Sequence, residues 1–381
     1  MKKFFALAAV LFVLALTGCK KEPVLVSSVT LDKSEIILKA GETAKLVATV
    51  LPENAEDKTI TWATSDASIA TVAEGVVTAV ASGVATITAT SGEQNATCEV
   101  VVAGALSLKA NIADNYARYI SFMPEDVLGV FVTAGEATQS NLKYTPAEVG
   151  EADDFGTMFM LTKEVPSSAL VAGGEPATFS KGEHTIYAYL PYVEAADIKA
   201  VPVKDLTTQD ITGVGYGKQF LQTDWIFQYA KTTVKSLDPV ELSLVCPYTQ
   251  VNNGAVRSDY FTLPAEAASL ALKSITITAN GTIAYKNPSF DLTTEKFNGE
   301  AVNTISLVAK KSSTSISAKF AICCDKATAL KYDYTIDITL ENGDVYTATA
   351  KLVESTVAHP IDWDKELPSV KFSAPAAFTK K

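Results

Sequence analysis

Gly75-Val76-Val77-Thr78-Ala79, followed closely by Gly83-Val84-Ala85-Thr86-Ile87-Thr88-Ala89, decides how the chain begins to fold. Both runs are rich in β-branched residues that suit a pleated surface, and each opens on a glycine, so they predict two consecutive strands. Upstream, Ile60, Trp62 and Thr64 alternate with Thr59, Thr61 and Ala63, which sends one set to a core and the other to solvent. Val29, Leu31, Ile37, Leu46, Ala48 and Val50 supply earlier inward positions, with Ala40-Gly41-Glu42 as a turn. Downstream, Cys98 alternates with Ala96, Val100 and Val102 and reads as a small hydrophobe on the inner face of a strand. From Val26 to Val102, short alternating runs bounded by turn residues predict an all-β sandwich, with Trp62 set against the opposite sheet.

The motifs Val29-Thr30-Leu31-Asp32, Leu51-Pro52, Thr61-Trp62-Ala63-Thr64-Ser65-Asp66 and Ala70-Thr71-Val72, with the two glycine-led runs, occur in one order. Together they resemble the group 2 bacterial immunoglobulin-like domain over residues 27–103. The resemblance implies a spacer or adhesive module of a surface protein, without catalytic residues.

The N-terminus has a different character. Lys2 and Lys3 precede an apolar run from Phe4 to Leu16, which ends in Leu16-Thr17-Gly18-Cys19. That layout predicts a secretory signal over 1–18. The run is about 13 residues against the roughly 20 needed to span a bilayer, so a cleaved segment is expected rather than a retained helix. Leu-Thr-Gly-Cys resembles the lipobox of bacterial lipoproteins, which implies palmitate-type acylation of Cys19 and removal of the residues before it. Residues 19–26, with Pro23, then form a lipidated tether, and several acyl chains give stable anchoring where one would be marginal. The resemblance implies a place at the outer membrane, on the cell surface.

Composition narrows the functions. The formal net charge is −11, with 43 acidic against 32 basic residues, and Arg118 and Arg257 are the two arginines. An acidic chain argues against nucleic acid, whose binding rests on cations facing phosphates. No second hydrophobic span is present, so the lipid on Cys19 is the implied membrane contact. Cys98, Cys246, Cys323 and Cys324 match no zinc spacing, and no cofactor is expected. Cys323 and Cys324 read as neighbours on a strand, which would point them to opposite faces. His184 and His359 each flank a predicted strand end and read as surface or turn residues. Gly-x-Ser-x-Gly, His-Glu-x-x-His and Walker patterns are missing, and Gly213-Val214-Gly215-Tyr216-Gly217-Lys218 reads as a loop. The carboxylates single out no acid–base pair, so an enzyme is not expected.

Beyond the hinge Ala103-Gly104-Ala105 the chain stays β-rich, with Gly, Asn and Pro marking turns. Leu128-Gly129-Val130-Phe131-Val132-Thr133 predicts a buried strand, and 134–160 predicts irregular connections. Thr185-Ile186-Tyr187-Ala188-Tyr189-Leu190-Pro191-Tyr192 places Tyr187 and Tyr189 on one face of a strand that ends by Pro191. Asn280-Gly281 lies between Ile275-Thr276-Ile277-Thr278 and Ile283-Ala284-Tyr285, and Asn342-Gly343 between two longer alternating runs. Both predict hairpins with type I′ turns. In the second, Tyr334, Ile336, Ile338 and Leu340 face a core, and Asp333, Thr335, Asp337 and Thr339 face water.

Gly129-Val130-Phe131-Val132-Thr133, Asn141-Leu142-Lys143-Tyr144, Tyr187-Ala188-Tyr189-Leu190-Pro191-Tyr192 and Thr223-Asp224-Trp225-Ile226-Phe227-Gln228-Tyr229-Ala230, followed by an apolar run from Val240 to Val245, resemble the fimbrillin-like proteins of Bacteroides-type pili. The resemblance implies two transthyretin-like β-sandwiches, 105–236 and 237–381, that meet between 232 and 255. Where the family often has a histidine, this chain has Cys246-Pro247-Tyr248. Family pilins are cut at an arginine near the start of the first sandwich; Arg118 is the candidate here, and cutting there would separate this region from its spacer and its lipid. The implied function is a lipid-anchored fimbrial or adhesin-type protein, a pilus subunit or stalked adhesin, that binds other subunits or surface ligands by β-strand addition. The alternative is a surface glycan-binding lipoprotein of a nutrient-uptake system, with Trp225, Tyr229 and Tyr192 as a sugar platform, although Trp225 lies within the family motif and reads more simply as core. The tail Leu367-Pro368-Ser369-Val370-Lys371-Phe372-Ser373 is either a donor strand for another molecule or the last strand of its own domain.

Overall fold

The computed structural model describes residues 22–112, 122, 124–150, 167–211, 227–253, 261–267, 269–309, 311–312, 315–316, 318–358, 366–373 and 377–381. The chain is almost entirely β and divides into two units, Met1–Gly104 and Ala105–Lys381.

In the first unit, strands Thr61–Thr64, Gly83–Ser91 and Gln94–Ala105 pair antiparallel in that order, and Glu35–Lys39 runs parallel to the last of them. Val76–Ala79 lies between Thr43–Lys45 and Ala70–Ala73 in a second sheet, and Ser28–Leu31 pairs with Ala48–Leu51. Leu46, Val77, Ile87, Cys98 and Val100 fill the core between the sheets, and half-buried Trp62 packs on it. Burial raises the pKa of the Cys98 thiol. Gly75 does double service: its φ is +77°, and a Cβ there would lie 2.7 Å from the Leu46 carbonyl and 3.0 Å from the Trp62 ring. The alternation is corrected at one point. Ile37 is 57 % exposed, and Ile36 and Leu38 are the inward residues, because the parallel register with Val100 and Val102 turns them to the core.

In the second unit, seven strands pair in the order Gln228–Val234, His184–Leu190, Leu128–Ala134, Ala137–Pro146, Ser168–Ala172, Leu108–Ile112 and Val240–Leu244. The two ends of this order meet, since Tyr229 and Val245 exchange backbone hydrogen bonds at 2.9 and 2.8 Å. The sheet is thereby closed on itself around Val130, Ile186, Leu190, Leu242 and their neighbours. Phe131, Tyr187 and Tyr189 point to its other face, into a second cluster shared with Tyr248, Phe290 and Cys323. Burial on both faces is why Leu128 to Val132 reads as an unbroken apolar run. Strand Ala137–Pro146 occupies part of the stretch expected to be irregular, and its exposed polar positions explain why no period showed. Val240–Leu244 belongs with this sheet although it follows residue 236. Conversely, Thr208–Asp210 runs parallel to Thr304–Val308, and Val201–Pro202 pairs with Ala284–Asp291.

The later strands form two sheets joined by the long strand Val345–Ala358. Its first half pairs with Asp333–Leu340, which continues through Leu272–Ala279 to Thr304–Val308. Its second half pairs with Glu366–Phe372, next to Thr249–Asn253 and Ala318–Ile322. Ile277, Ile305, Ile336, Phe320 and Phe372 are buried between them. The face assignment along Asp333–Leu340 holds, with Tyr334, Ile336, Ile338 and Leu340 buried.

The tail is the unit's own strand. Leu352 pairs with Phe372 and Ala358 with Glu366, while Phe378 is buried edge-on to Phe261. Lys380 and Lys381 then reach Asp344 and Asp337, each at 2.8 Å.

Of the two expected type I′ hairpins, one is overturned and the other changes its turn. Leu272–Ala279 and Ala284–Asp291 lie in different sheets, so Asn280-Gly281 joins layers instead of paired strands. Asn280 N–H donates to Asp333 O, and Asp333 N–H donates to Asn280 Oδ1, both at 3.1 Å. A Cβ on Gly281 would sit 2.3 Å from the Tyr332 ring, so the glycine serves close approach. Asn342-Gly343 does close a hairpin, but φ is positive only at Gly343 (+91°), and Gly343 N–H donates to Leu340 O. That is a type I turn with a glycine bulge.

His184 is also corrected. It is 2 % exposed at the start of its strand, with its ring 4.6 Å from that of Phe179. His359 lies outside the described residues.

Side-chain amides finish two sheet edges. Gln139 Nε2 donates to Thr178 O at 2.7 Å, and Thr178 N–H donates back to Gln139 Oε1 at 2.8 Å. Gln209, 6 % exposed, does the same with Ala321: Nε2 donates to its carbonyl at 2.8 Å, and its N–H donates to Oε1 at 2.9 Å. Each amide offers one donor and one acceptor in the spacing of a neighbouring strand.

Candidate functional site: an aromatic groove

A groove of about 490 Å³ opens in the second unit, where strands Ala284–Asp291 and Lys296–Val302 face the segments 246–250 and 323–326. That volume belongs to the small-ligand class. Its wall is aromatic. Tyr285 and Phe297 stack with centroids 6.0 Å apart, Tyr248 lies 5.2 Å from Phe297, and Tyr229 lies 4.8 Å from Phe290.

Polar groups rim these rings. The turn between the two strands ends at Glu295, whose φ is +58°, a conformation costly for a side chain with a Cβ. Its carboxylate is held from two sides: Tyr229 Oη donates to Oε2 at 3.1 Å, and Lys231 Nζ donates to Oε1 at 3.3 Å. Burial, together with the Glu295 charge, pushes the Tyr229 hydroxyl up to about 12. Across the groove, Asp325 caps the short helix Lys326–Ala329 by accepting from Thr328 N–H at 2.9 Å, and hydrogen bonds from Thr328 lower its pKa. Lys326 pairs with Glu354 at 2.8 Å. Among the described residues, two buried polar atoms of the lining, Tyr248 Oη and Gln250 Nε2, have no hydrogen-bond partner.

The two neighbouring thiols do pack against different apolar clusters, as expected, but not on a strand. Cys323 and Cys324 follow strand Ala318–Ile322 in a bend, and both line the groove with Cys246. Burial is the first cause that pushes each of Cys323 and Cys324 up to about 12. Among the described residues, no group of three or more His, Cys, Asp or Glu side chains is placed to hold a metal ion. The thiolate is the reactive form. Cys323 and Cys324 should therefore alkylate at pH 8 at least about a hundredfold more slowly in the native chain than in urea, and Cys98 more slowly as well. Timed iodoacetamide labelling read by mass spectrometry checks this, and rapid native labelling of Cys323 would contradict it.

Of the residues singled out from sequence, Tyr229 is in the groove. Tyr192 is not: its backbone N–H donates to Val127 O at 2.7 Å, and Lys143 Nζ lies 5.7 Å from its ring centroid. Cys19, Arg118 and Trp225 lie outside the described residues. Tyr248, Tyr285, Glu295 and Phe297 escaped the sequence reading because the wall is assembled from segments far apart in the chain. The unusual Cys246-Pro247-Tyr248 was the one local signal.

Comparison with known proteins bears on the first unit. Residues 25–102 match the family model described as bacterial Ig-like domain (group 2). A 3-O-alpha-D-galactosyl-alpha-L-arabinofuranosidase of Bifidobacterium longum subsp. longum is 49% identical over 70 residues, 17% of this chain and 6% of that protein. A lacto-N-biosidase of Bifidobacterium bifidum is 54% identical over 55 residues, 14% of this chain and 5% of that protein. An uncharacterized protein of Clostridium acetobutylicum is 40% identical over 77 residues, 19% of each chain. The glycosidase matches fall within the immunoglobulin-like stretch, so the chain spans about a twentieth of those two proteins. Two structures of the S-layer protein SbsC align at 12% identity. Domains 5-6 give a TM-score of 0.18 over 43% of this chain and 90% of that one. Domains 4-9 give 0.19 over 94% and 55%.

Proposed function

We propose that this chain is a lipid-anchored cell-surface protein of the stalked adhesin type, in which residues 27–103 are the spacer and the second unit binds the ligand. The observation that carries the reading is the immunoglobulin-like module, placed between Cys19 of the lipobox-like stretch and a β unit that holds an aromatic groove. Cells expressing the chain should incorporate labelled palmitate into it and display it to added protease. Cys19→Ala should abolish the label and release the protein from the membrane fraction. Unlabelled wild-type protein, or protein shielded from protease in intact cells, would sink the reading.

Strand addition has one observation in its favour. Among the described residues, Lys296–Val302 pairs along one side only. Lys296, Glu300 and the irregular register opposite Lys286 blunt that edge, as natural sheets blunt edges that must stay unpaired. The closed seven-stranded sheet and the self-paired tail also leave less room for exchange. Gel electrophoresis of unheated against boiled membranes should therefore show a single full-length band. A ladder that collapses on boiling, with a subunit beginning near Tyr119, would instead establish polymerisation after cleavage at Arg118.

A further inference from the structure

We infer that the groove in the second unit is a binding site for a neutral saccharide, an assignment that rests on the surface-binding reading and gives it a ligand class. Charge is the first argument. Glu295, Lys296, Asp325 and Lys326 line the groove as two carboxylates and two ammonium groups, so a phosphate, sulfate or other net-charged ligand would find no surplus of opposite charge.

Shape and bonding are the second argument. Stacked Tyr285 and Phe297 offer flat apolar faces that suit the C–H face of a sugar ring. The rim mixes acceptors with donors, as hydroxyl groups that both give and take hydrogen bonds require. The Glu295 carboxylate is already oriented by Tyr229 and Lys231, so little ordering remains to be done on binding.

A peptide ligand is the poorer fit. Among the described residues, strand Thr249–Asn253, which leads away from the groove, pairs along its length with Ala318–Ile322 and at Val251 with Val370, and the one-sided edge of Lys296–Val302 is blunted by Lys296, Glu300 and its irregular register, so no regular backbone edge is presented at the groove. Peptide recognition by strand addition needs such an edge.

The test uses the full mature chain with Cys19→Ser, labelled fluorescently and applied to an array of neutral, sialylated and sulfated glycans, with the best neutral hit titrated calorimetrically. Saturable binding to a neutral glycan is expected. Tyr285→Ala and the shape-preserving Glu295→Gln should each weaken it at least about tenfold. Tyr192→Ala, outside the groove, should leave it unchanged. Circular dichroism confirms that each variant is folded, and Glu295→Gln, an exposed position, keeps the test valid if Tyr285→Ala is not. Binding to anionic glycans alone, to none, or binding untouched by Glu295→Gln, overturns the assignment. A chain that is protease-accessible on cells yet binds no neutral glycan overturns this inference and leaves the surface reading standing. Glycan binding by a chain that never reaches the surface does the reverse.

Discussion

Gly129→Ala is expected to destabilise the second unit by about 3 kcal/mol, the top of the range for forcing atoms into a filled core. The added Cβ would lie 2.0 Å from Tyr189 Cε1, 2.2 Å from Cζ and 2.5 Å from Oη. That ring has nowhere to go. It is fully buried, stacked between Phe131 at 6.0 Å and Phe227 at 6.3 Å, and its hydroxyl donates to Asn141 Oδ1 at 2.6 Å while accepting from Val193 N–H at 3.2 Å. Moving it would break bonds to two other segments. For a unit of this size the melting temperature should fall by roughly 6–12 °C. Gly281→Ala is the control: its Cβ would meet the Tyr332 ring at 2.3 Å, but that ring is half-exposed and can swing, so the cost should stay below about 1.5 kcal/mol. Thermal melts of the two variants check the contrast. Equal shifts would show that the Tyr189 ring yields as readily as a surface one. If the clash is the cause, Gly129→Ala should also cost less in a Tyr189→Ala background, because the two changes share one contact.

Why one glycine of Leu128 to Thr133 is a packing device was not legible in the sequence, whereas the strand around it was. Period and composition report what a residue prefers locally. They identified the two glycine-led strands, the inner position of Cys98, the alternation from Asp333 to Leu340 and the end of a strand before Pro191. They failed wherever the deciding partner is distant. Asn280-Gly281 has the residues of a tight hairpin, yet Asp333 and Tyr332, some fifty positions later in the chain, claim the asparagine and the glycine. His184 reads as a turn residue until Phe179 covers it. The groove is the extreme case. Tyr229 was visible as an aromatic in a motif, but nothing near it in the chain announces that Glu295 will take its hydroxyl or that Tyr285 and Phe297 will stack across from it.

Gln209 carries the other large expected effect, and it too depends on a distant partner. Gln209→Leu keeps the bulk but leaves the Ala321 N–H and C=O unpaired in the interior. Each stranded group costs about 1–3 kcal/mol, so a loss of roughly 2–6 kcal/mol is expected. Gln209→Glu separates the hydrogen-bond account from a packing account. A protonated carboxyl can donate to the Ala321 carbonyl and accept from its N–H as the amide does, whereas a carboxylate can only accept. Burial disfavours the charged form, so the folded-state pKa of this new group should rise above the ordinary value of about 4.3. A group raised in the folded state contributes its full stability below its unfolded pKa and loses it as pH climbs through the folded value. The variant should therefore approach wild type near pH 4 and fall progressively behind it by pH 7.5. The comparison must be variant minus wild type, because Asp344, held low by the Lys380 hydrogen bond, loses its stabilising pair as pH falls in both chains. Asp337 behaves alike: burial would raise it, but the hydrogen bond and charge of Lys381 help to hold it low. Urea midpoints at the two pH values settle the matter. A deficit of Gln209→Glu that does not change with pH would mean that shape, and not the paired amide, is what closes the edge at Ala321.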